Sequence, residues 1–178
     1  MVDLGRKNDG KKHLRSGDQN ESHFPLKLVG SLMPDWPVFI WLPSGVRPIT
    51  AEGERSFFSA NTPIPLVAVK DALYEVIEGI WPAIADNDID SFSVAVAAVQ
   101  RLPWKRSEIS IYGEDVSGRL DFAQSLGVCA AGMSSLGPAI FLIAPDASLM
   151  KSAIKERYPF DQVMEWVLSN EGRQISYG

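Results

Sequence analysis

Two adjacent serines lie between glycines in the stretch GMSSLGP, where residue types and spacing are suited to receiving an anion. Ser134 and Ser135 offer hydroxyls, while Gly132 and Gly137 permit close backbone approach and positive φ angles. Consecutive backbone N–H groups in such a turn can form an anion-binding concavity. The alternative is a tight turn between two strands that only required small residues.

Charged residues in two other stretches are further candidates for ligand contacts. In ITAEGERSFF, the side chains of Glu52, Glu54 and Arg55 could position a ribose or an amine. A charged, exposed helix start has the same composition, so both interpretations stay open. Asn170 and Arg173, in SNEGRQIS, are typical of residues that close a turn, with a ligand contact as the alternative.

Cysteine and histidine are too few for a zinc site in the body of the chain. Cys129 is the single cysteine, and His13 and His23 are the two histidines. No histidine is available to activate Cys129, which is therefore expected to be a small core residue. We expect no metal site of this kind, no disulfide and a reducing, cytoplasmic compartment. No apolar run approaches the roughly 20 residues of a membrane helix, so no membrane partner is expected.

Charge separates an N-terminal arm from the rest of the chain. Residues 1–22 are polar, lack a periodic apolar face and are predicted to be a disordered arm. Beyond them, acidic residues outnumber basic ones by 18 to 12, which argues against nucleic acid as a partner. Residues 23–178 are long enough to form one domain with a sizeable core.

Apolar spacing predicts the first elements of that domain. PVFIWLP (37–43) is typical of a buried strand, and a short helix is predicted around Glu54–Phe58. Helical spacing continues from Leu66 to Trp81, with an end expected at Pro82. A second amphipathic helix, Asp88–Leu102, is expected to pack antiparallel to it, with Asp88 or Asp90 as its cap.

The remaining pattern predicts a helix, two strands, a helix and a closing strand. These segments are DVSGRLDFAQSLG, VCAA, PAIFLIA, SLMKSAIKERYP and QVMEWVLS. Gly127 lies where a C-terminal helix glycine belongs, and Leu149, Ile154 and Met150 are candidates for the inward face of the last helix. The order predicts an α+β fold of the ferredoxin-like split βαβ type, with an antiparallel sheet covered by helices on one face.

The stretch GVCAAGMSSLGPAIFLI resembles the third, C-terminal glycine-rich motif of the GHMP kinase superfamily. The motif is similar in particular to that of beta-ribofuranosylaminobenzene 5'-phosphate synthases, in which Gln-Ser-Ser-Trp-Gly-Pro precedes a strand. Here Met133 and Leu136 replace the Gln and Trp. PDWPVFIWLP, ITAEGERSFF and VLSNEGRQIS resemble further segments of that family in the same order, although Thr50-Ala51 replaces its Ser-Gly.

The resemblance implies half of an enzyme, because the chain has no match to the family's N-terminal phosphate loop, Pro-x-x-x-Gly-Leu-Gly-Ser-Ser. It implies a C-terminal domain, part of a transferase that is incomplete as a single chain. The implied partner is a separately encoded N-terminal half, with a homo-oligomer as the alternative. The implied substrate-binding residues are Gly132, Ser134, Ser135, Gly137, Glu52 and Arg55.

The implied reaction joins 4-aminobenzoate to 5-phosphoribosyl 1-diphosphate with loss of carbon dioxide and diphosphate, in the synthesis of methanopterin-type cofactors. The small-molecule phosphate ligand implies Mg²⁺ bound with its diphosphate. Two alternatives stay open: a part of a GHMP small-molecule kinase, and a non-catalytic ferredoxin-like module that binds a small molecule or oligomerises.

Overall fold

The chain divides into two units, Met1–Ser31 and Leu32–Gly178. The computed structural model describes residues 32–170, together with Val2–Asp3 and Leu28–Val29. In the first unit, β1 (Val2–Asp3) pairs antiparallel with β2 (Leu28–Val29). Most of the arm predicted over residues 1–22, and also Arg173, lie outside the described residues.

The second unit contains four strands and a series of helices. The strands are β3 (Val38–Leu42), β4 (Ala130–Met133), β5 (Ile140–Ile143) and β6 (Gln162–Trp166). The helices are α1 (Ala51–Asn61), α2 (Leu66–Tyr74), a π-helical segment (Glu75–Ile80), α3 (Trp81–Ala85), α4 (Ile89–Gln100), α5 (Pro103–Ser110), α6 (Glu114–Ser125) and α7 (Ala147–Arg157). None of the helices in the described residues is long and apolar enough to span a bilayer.

The four strands form one antiparallel sheet in the order β4-β5-β3-β6. Val38 of β3 is opposite Ile143 of β5 on one side and Trp166 of β6 on the other. Strands β3, β5 and β6 lie within their predicted segments, and the predicted antiparallel sheet is confirmed. Strand β4 begins and ends two residues later than VCAA (128–131), so Gly132 lies in the strand and not in the turn. The turn between β4 and β5 contains both serines of the GMSSLGP stretch.

Helices cover both faces of this sheet, so the prediction of helices on one face is wrong. On one face, Phe39 and Leu142 pack with Leu120 of α6 and Ile154 of α7. On the other face, a second cluster contains the residues Val38, Ile143, Ala130, Ala83, Phe92 and Val96. Side chains alternate along a strand, and β5 (IFLI) is apolar at every position, so that both of its faces bury apolar surface.

The helix that begins at Leu66 continues through Pro82 to Ala85, beyond its predicted end. Proline normally ends a helix because it lacks an N–H and collides with the carbonyl four residues earlier. Here the π-helical segment precedes it, and the Trp81 N–H donates to the Val76 carbonyl five residues earlier. We attribute the continuation to this wider turn, which makes room for the ring of Pro82.

Smaller differences concern single elements. Helix α1 is longer than predicted, and α5 lies in a segment for which the sequence analysis predicted no element. Leu149 of α7 is 70% exposed, whereas Met150 and Ile154 are buried, so the prediction of an inward Leu149 is wrong. The preceding cap, Asp146, begins the helix at Ala147, and this register turns Leu149 outward.

Candidate functional site

The connection between β4 and β5, residues 134–139, is a tight turn closed by its own backbone. The Ser134 N–H donates to the Ala139 carbonyl at 2.8 Å, and the Gly137 N–H donates to the Ser134 carbonyl at 2.8 Å. Ser135 has a φ of 49° and Gly137 a φ of 66°, so both residues adopt left-handed backbone conformations. We call residues 134–139 the serine turn.

The serine turn leaves several hydrogen-bond donors unused. The backbone N–H groups of Ser135 and Leu136 donate no hydrogen bond within the described residues, and the hydroxyls of Ser134 and Ser135 have no partner there. Both serines are exposed. Neighbouring amides and hydroxyls of this kind are the donors that an anionic oxygen accepts from.

Three side chains hold the strand and the turn from the protein side. Buried Lys105 donates from Nζ to the Ser135 carbonyl at 2.9 Å and pairs with Glu108 at 2.7 Å. The Tyr112 hydroxyl donates to the Leu136 carbonyl at 2.6 Å. Gln100 accepts the Met133 N–H through Oε1 at 3.1 Å. Contacts from Lys105 and Tyr112 therefore add to the turn's own backbone hydrogen bonds in fixing its conformation.

Both candidate glycines lie where a side chain would collide. A Cβ on Gly132 would come within 2.7 Å of the Phe141 ring and 2.8 Å of the Gln100 amide. A Cβ on Gly137 would come within 2.5 Å of the Met133 sulfur and 2.8 Å of the Tyr112 ring. Close packing, in addition to the positive φ at Gly137, explains why glycine occupies these positions.

Helix α1, which carries Glu52 and Arg55, begins beside a residue tied to the serine turn. The Tyr112 hydroxyl accepts the Ile49 N–H at 3.1 Å and also bonds the Leu136 carbonyl. Glu52 and Arg55 are exposed, and their side chains make no hydrogen bond or ion pair within the described residues. The structure thus links the two predicted segments through Tyr112, and it shows no contact between these two side chains and the serines.

The remaining candidates have structural partners. Asn170 forms two hydrogen bonds with the backbone of Met33, at 2.8 and 2.9 Å, and so connects the segment after β6 to the segment before β3. Burial, and secondarily the charge of Asp90, raises the pKa of the Cys129 thiol, which disfavours a reactive thiolate. No group of three or more His, Cys, Asp or Glu side chains suited to a metal ion occurs in the described residues.

A buried ion pair that the sequence analysis missed lies outside the serine turn. Arg119 of α6 donates to Asp161 from Nε at 2.7 Å and from a terminal nitrogen at 3.1 Å. Asp161 also accepts the Trp41 indole N–H and the Ser44 N–H, each at 2.8 Å. All its acceptors are used, so this network is a structural connection between β3, α6 and the start of β6.

Lys105 and Tyr112 were also missed, because the segment between α4 and α6 showed no clear apolar period. A usable signal was the spacing of the charged pair: Lys105 and Glu108 are three residues apart, which places them on one face of a helix, whereas Tyr112 follows the end of α5.

Solved structures with a similar fold include a homoserine kinase and a mevalonate kinase. A homoserine kinase from Cytophaga hutchinsonii matches with a TM-score of 0.60 at 16% identity, over 82% of this chain and 45% of that chain. The L. major mevalonate kinase solved with R-mevalonate matches with a TM-score of 0.62 at 12% identity, over 79% of this chain and 45% of that chain. No protein-family model matches the chain.

Curated sequences add a more specific similarity, to beta-ribofuranosylphenol 5'-phosphate synthases. The Archaeoglobus fulgidus protein is 29% identical over 144 residues, covering 80% of this chain and 44% of that protein. The Methanothermobacter thermautotrophicus protein is 27% identical over 147 residues, covering 82% and 45%. The Methanocaldococcus jannaschii protein is 22% identical over 181 residues, covering 98% and 54%. The resemblance predicted from the sequence is confirmed, and the chain spans about half the length of these relatives.

Proposed function

We propose that this chain is the C-terminal half of a transferase that makes a ribofuranosyl 5'-phosphate, with the serine turn receiving a phosphate group of the substrate. The observation that carries the proposal is the similarity to three ribofuranosylphenol phosphate synthases along 80–98% of this chain. The unused amides and hydroxyls of the serine turn support the site, because they match an anionic oxygen. We also propose that it acts in the cytoplasm.

A ferredoxin-like classification of the fold is part of the proposal. The order β4-β5-β3-β6, with every neighbouring pair antiparallel, supports it. In chain order, the four strands and their intervening helices follow the split βαβ arrangement, with α6 and α7 on one sheet face. The helices on the opposite face, α3 and α4, are additional to that arrangement.

The proposed reaction forms a bond between C1 of the ribose and the ring carbon that carried a carboxylate. The benzoate loses carbon dioxide, and 5-phosphoribosyl 1-diphosphate loses diphosphate. The relatives' name contains a phenol, whereas the sequence resemblance implies an aminobenzene, so 4-hydroxybenzoate is a candidate acceptor beside 4-aminobenzoate. The described residues do not provide a metal-binding cluster, and Mg²⁺ brought in by the diphosphate stays a prediction.

The proposed partner is a polypeptide that corresponds to the half of the relatives that this chain does not span. Helix α1 has no buried residue, and α2 buries only Ala68. Leu66, Val69 and Leu73, at helical spacing on α2, are 65%, 37% and 50% exposed. An apolar stripe of this kind normally faces a core, so we infer that the partner covers α1 and α2.

The test uses the unmatched part of the Archaeoglobus fulgidus relative, produced as a second polypeptide and mixed with this chain. We expect a 1:1 complex in sedimentation, and diphosphate release from 5-phosphoribosyl 1-diphosphate when a 4-substituted benzoate is added. Leu73→Lys should weaken the complex at least tenfold, because it places a charge in the apolar stripe. Leu149→Lys is the matched control, since this leucine is also exposed but lies on α7.

Three results would contradict the proposal. If both leucine variants weakened the complex equally, α2 would not be part of the interface. Self-association of this chain that excludes the second polypeptide would favour a homo-oligomer. A folded second polypeptide that gives neither a complex nor diphosphate release would return the function to a binding module. Because the second polypeptide could fail to fold alone, the same assays are run on the two segments fused in one chain.

A further inference from the structure

We propose that Tyr112 is a positioning residue that couples the serine turn to the start of α1, so that an anion bound at the turn also orders that helix. The inference rests on the proposed anion site and assigns a role to a residue outside the motif. It follows from one hydroxyl that bonds two segments far apart in the sequence. Tyr112 is separated from Leu136 by 24 residues and from Ile49 by 63.

The Tyr112 hydroxyl uses both of its hydrogen-bonding functions. It donates to the Leu136 carbonyl at 2.6 Å and accepts the Ile49 N–H at 3.1 Å. A phenol has one O–H to donate, so the two contacts fix the direction of that proton. A chain of two hydrogen bonds through one oxygen strengthens each of them by polarisation. Weakening of the hydrogen bond to Leu136 therefore also weakens the hydrogen bond from Ile49, and the reverse holds as well.

In the serine turn, the carbonyls of Ser135 and Leu136 accept hydrogen bonds from Lys105 and Tyr112, and these bonds determine the direction of the neighbouring N–H groups. A peptide group is planar and trans, so its N–H points away from its C=O. Because Lys105 holds the Ser135 carbonyl, the Leu136 N–H is directed away from Lys105. Tyr112 fixes the next peptide group through the Leu136 carbonyl, and the N–H of that group closes the turn onto Ser134.

On the helix side, few other hydrogen bonds within the described residues hold the beginning of α1. The Thr50 hydroxyl caps the Gly53 N–H at 3.1 Å, which is a contact within the helix end itself. None of the 11 residues of α1 is buried. A helix of this length is marginal in water without packing. The contact from Tyr112 to Ile49 is thus a main attachment between the start of α1 and the described core.

The experiment compares Tyr112→Phe with Tyr74→Phe, a matched control on the exposed surface of α2. Inorganic pyrophosphate is titrated into the purified chain, with amide chemical shifts and hydrogen exchange recorded by NMR. In the wild type, we expect shifts at Ser135 and Leu136 and slower exchange at the Ile49 and Gly53 amides. Tyr112→Phe should weaken pyrophosphate binding roughly two- to tenfold, as expected for one hydrogen bond. It should also abolish the response at Ile49 and Gly53.

The outcomes separate the coupling from the anion site. If Ser135 and Leu136 shift in the wild type, and Ile49 responds equally in Tyr112→Phe, the coupling is refuted and the anion site stands. If pyrophosphate shifts neither Ser135 nor Leu136, the anion site and the coupling both fail. Loss of the Ile49 response in Tyr74→Phe as well would also overturn a specific role for Tyr112. Unchanged circular dichroism shows that the variants are folded.

Discussion

At the scale of single residues, Gly137 is subject to two separate constraints. Its φ of 66° disfavours any side chain, and a Cβ would collide with Met133 and Tyr112. Gly45 has a similar φ of 77°, but a Cβ there would meet nothing within 4 Å. A substitution at Gly45 therefore measures only the cost of the left-handed backbone, whereas one at Gly137 adds the cost of close packing.

We predict that Gly45→Ala lowers the free energy of unfolding by roughly 1–2 kcal/mol, the cost of a left-handed backbone for an L-residue. Gly137→Ala should lower it by about 1–3 kcal/mol more, because the added methyl overpacks the turn. Urea unfolding of both variants measures the difference. Equal losses in the two variants would show that the contacts of Gly137 relax without cost.

At the scale of elements, strands and capped helices were predictable because their signals are local. β3 lies between two prolines, and Gly127 follows α6 with a φ of 70°, as expected for a C-terminal helix glycine. The continuation through Pro82 was not predictable, because it depends on a π-helical segment that no local residue pattern specifies. Helix α5 was missed because its inward residues, Lys105 and Glu108, are charged.

The sequence left the cap of α4 open between Asp88 and Asp90, and the structure identifies Asp88. Its carboxylate accepts from the Asp90 and Ser91 amides at 3.1 and 3.0 Å, and from the Ser91 hydroxyl at 2.6 Å. We predict that Asp88→Ala costs about 1 kcal/mol in thermal or urea unfolding. Asp90→Ala should cost only a few tenths, from its interaction with the helix dipole. The reverse order would assign the cap to Asp90.

At the scale of the whole molecule, sequence periodicity predicted which helix face is apolar but not whether the chain itself covers it. Leu73 has the spacing of a core residue and is half exposed. The spacing of apolar residues indicates which face of a helix is buried. It does not indicate whether that face is covered by the helix's own domain or by a partner polypeptide. The same limit applies to the site, since the motif identified the serines while Tyr112 and Lys105 required three-dimensional contacts.

The Asp161–Arg119 pair connects parts of the chain that are far apart in sequence, so it acts on global stability. Burial by itself raises the pKa of Asp161, but hydrogen bonds from Arg119, Ser44 and Trp41, with the Arg119 charge, bring that pKa below its ordinary value. A lowered folded-state pKa stabilises the fold above the unfolded value of about 4. That contribution is lost as the pH falls through the folded-state pKa.

We predict that Asp161→Asn lowers the free energy of unfolding at pH 7 by roughly 3–5 kcal/mol, because Arg119 is left buried without its counter-charge. The difference from the wild type should shrink as the pH falls from about 4, where the carboxyl of the unfolded chain takes up a proton, through the lower folded-state pKa, where Asp161 is protonated in the fold as well. Urea midpoints at a series of pH values measure it. Asp121→Asn is the control: this exposed carboxylate on α6 has no partner within the described residues. A pH-independent difference for Asp161→Asn would contradict the prediction.

Strand β6 has a neighbouring strand on one side only within the described residues. Its sequence and the residues after it read VMEWVL, an apolar run interrupted by the single charge of Glu165, which pairs with Lys151 at 3.2 Å. An uncharged apolar run at an exposed sheet edge is prone to pair with strands of other chains and to aggregate. A charged residue within the run opposes this pairing. We therefore expect Glu165 to lower the tendency of this exposed sheet edge to pair with the edge of another chain.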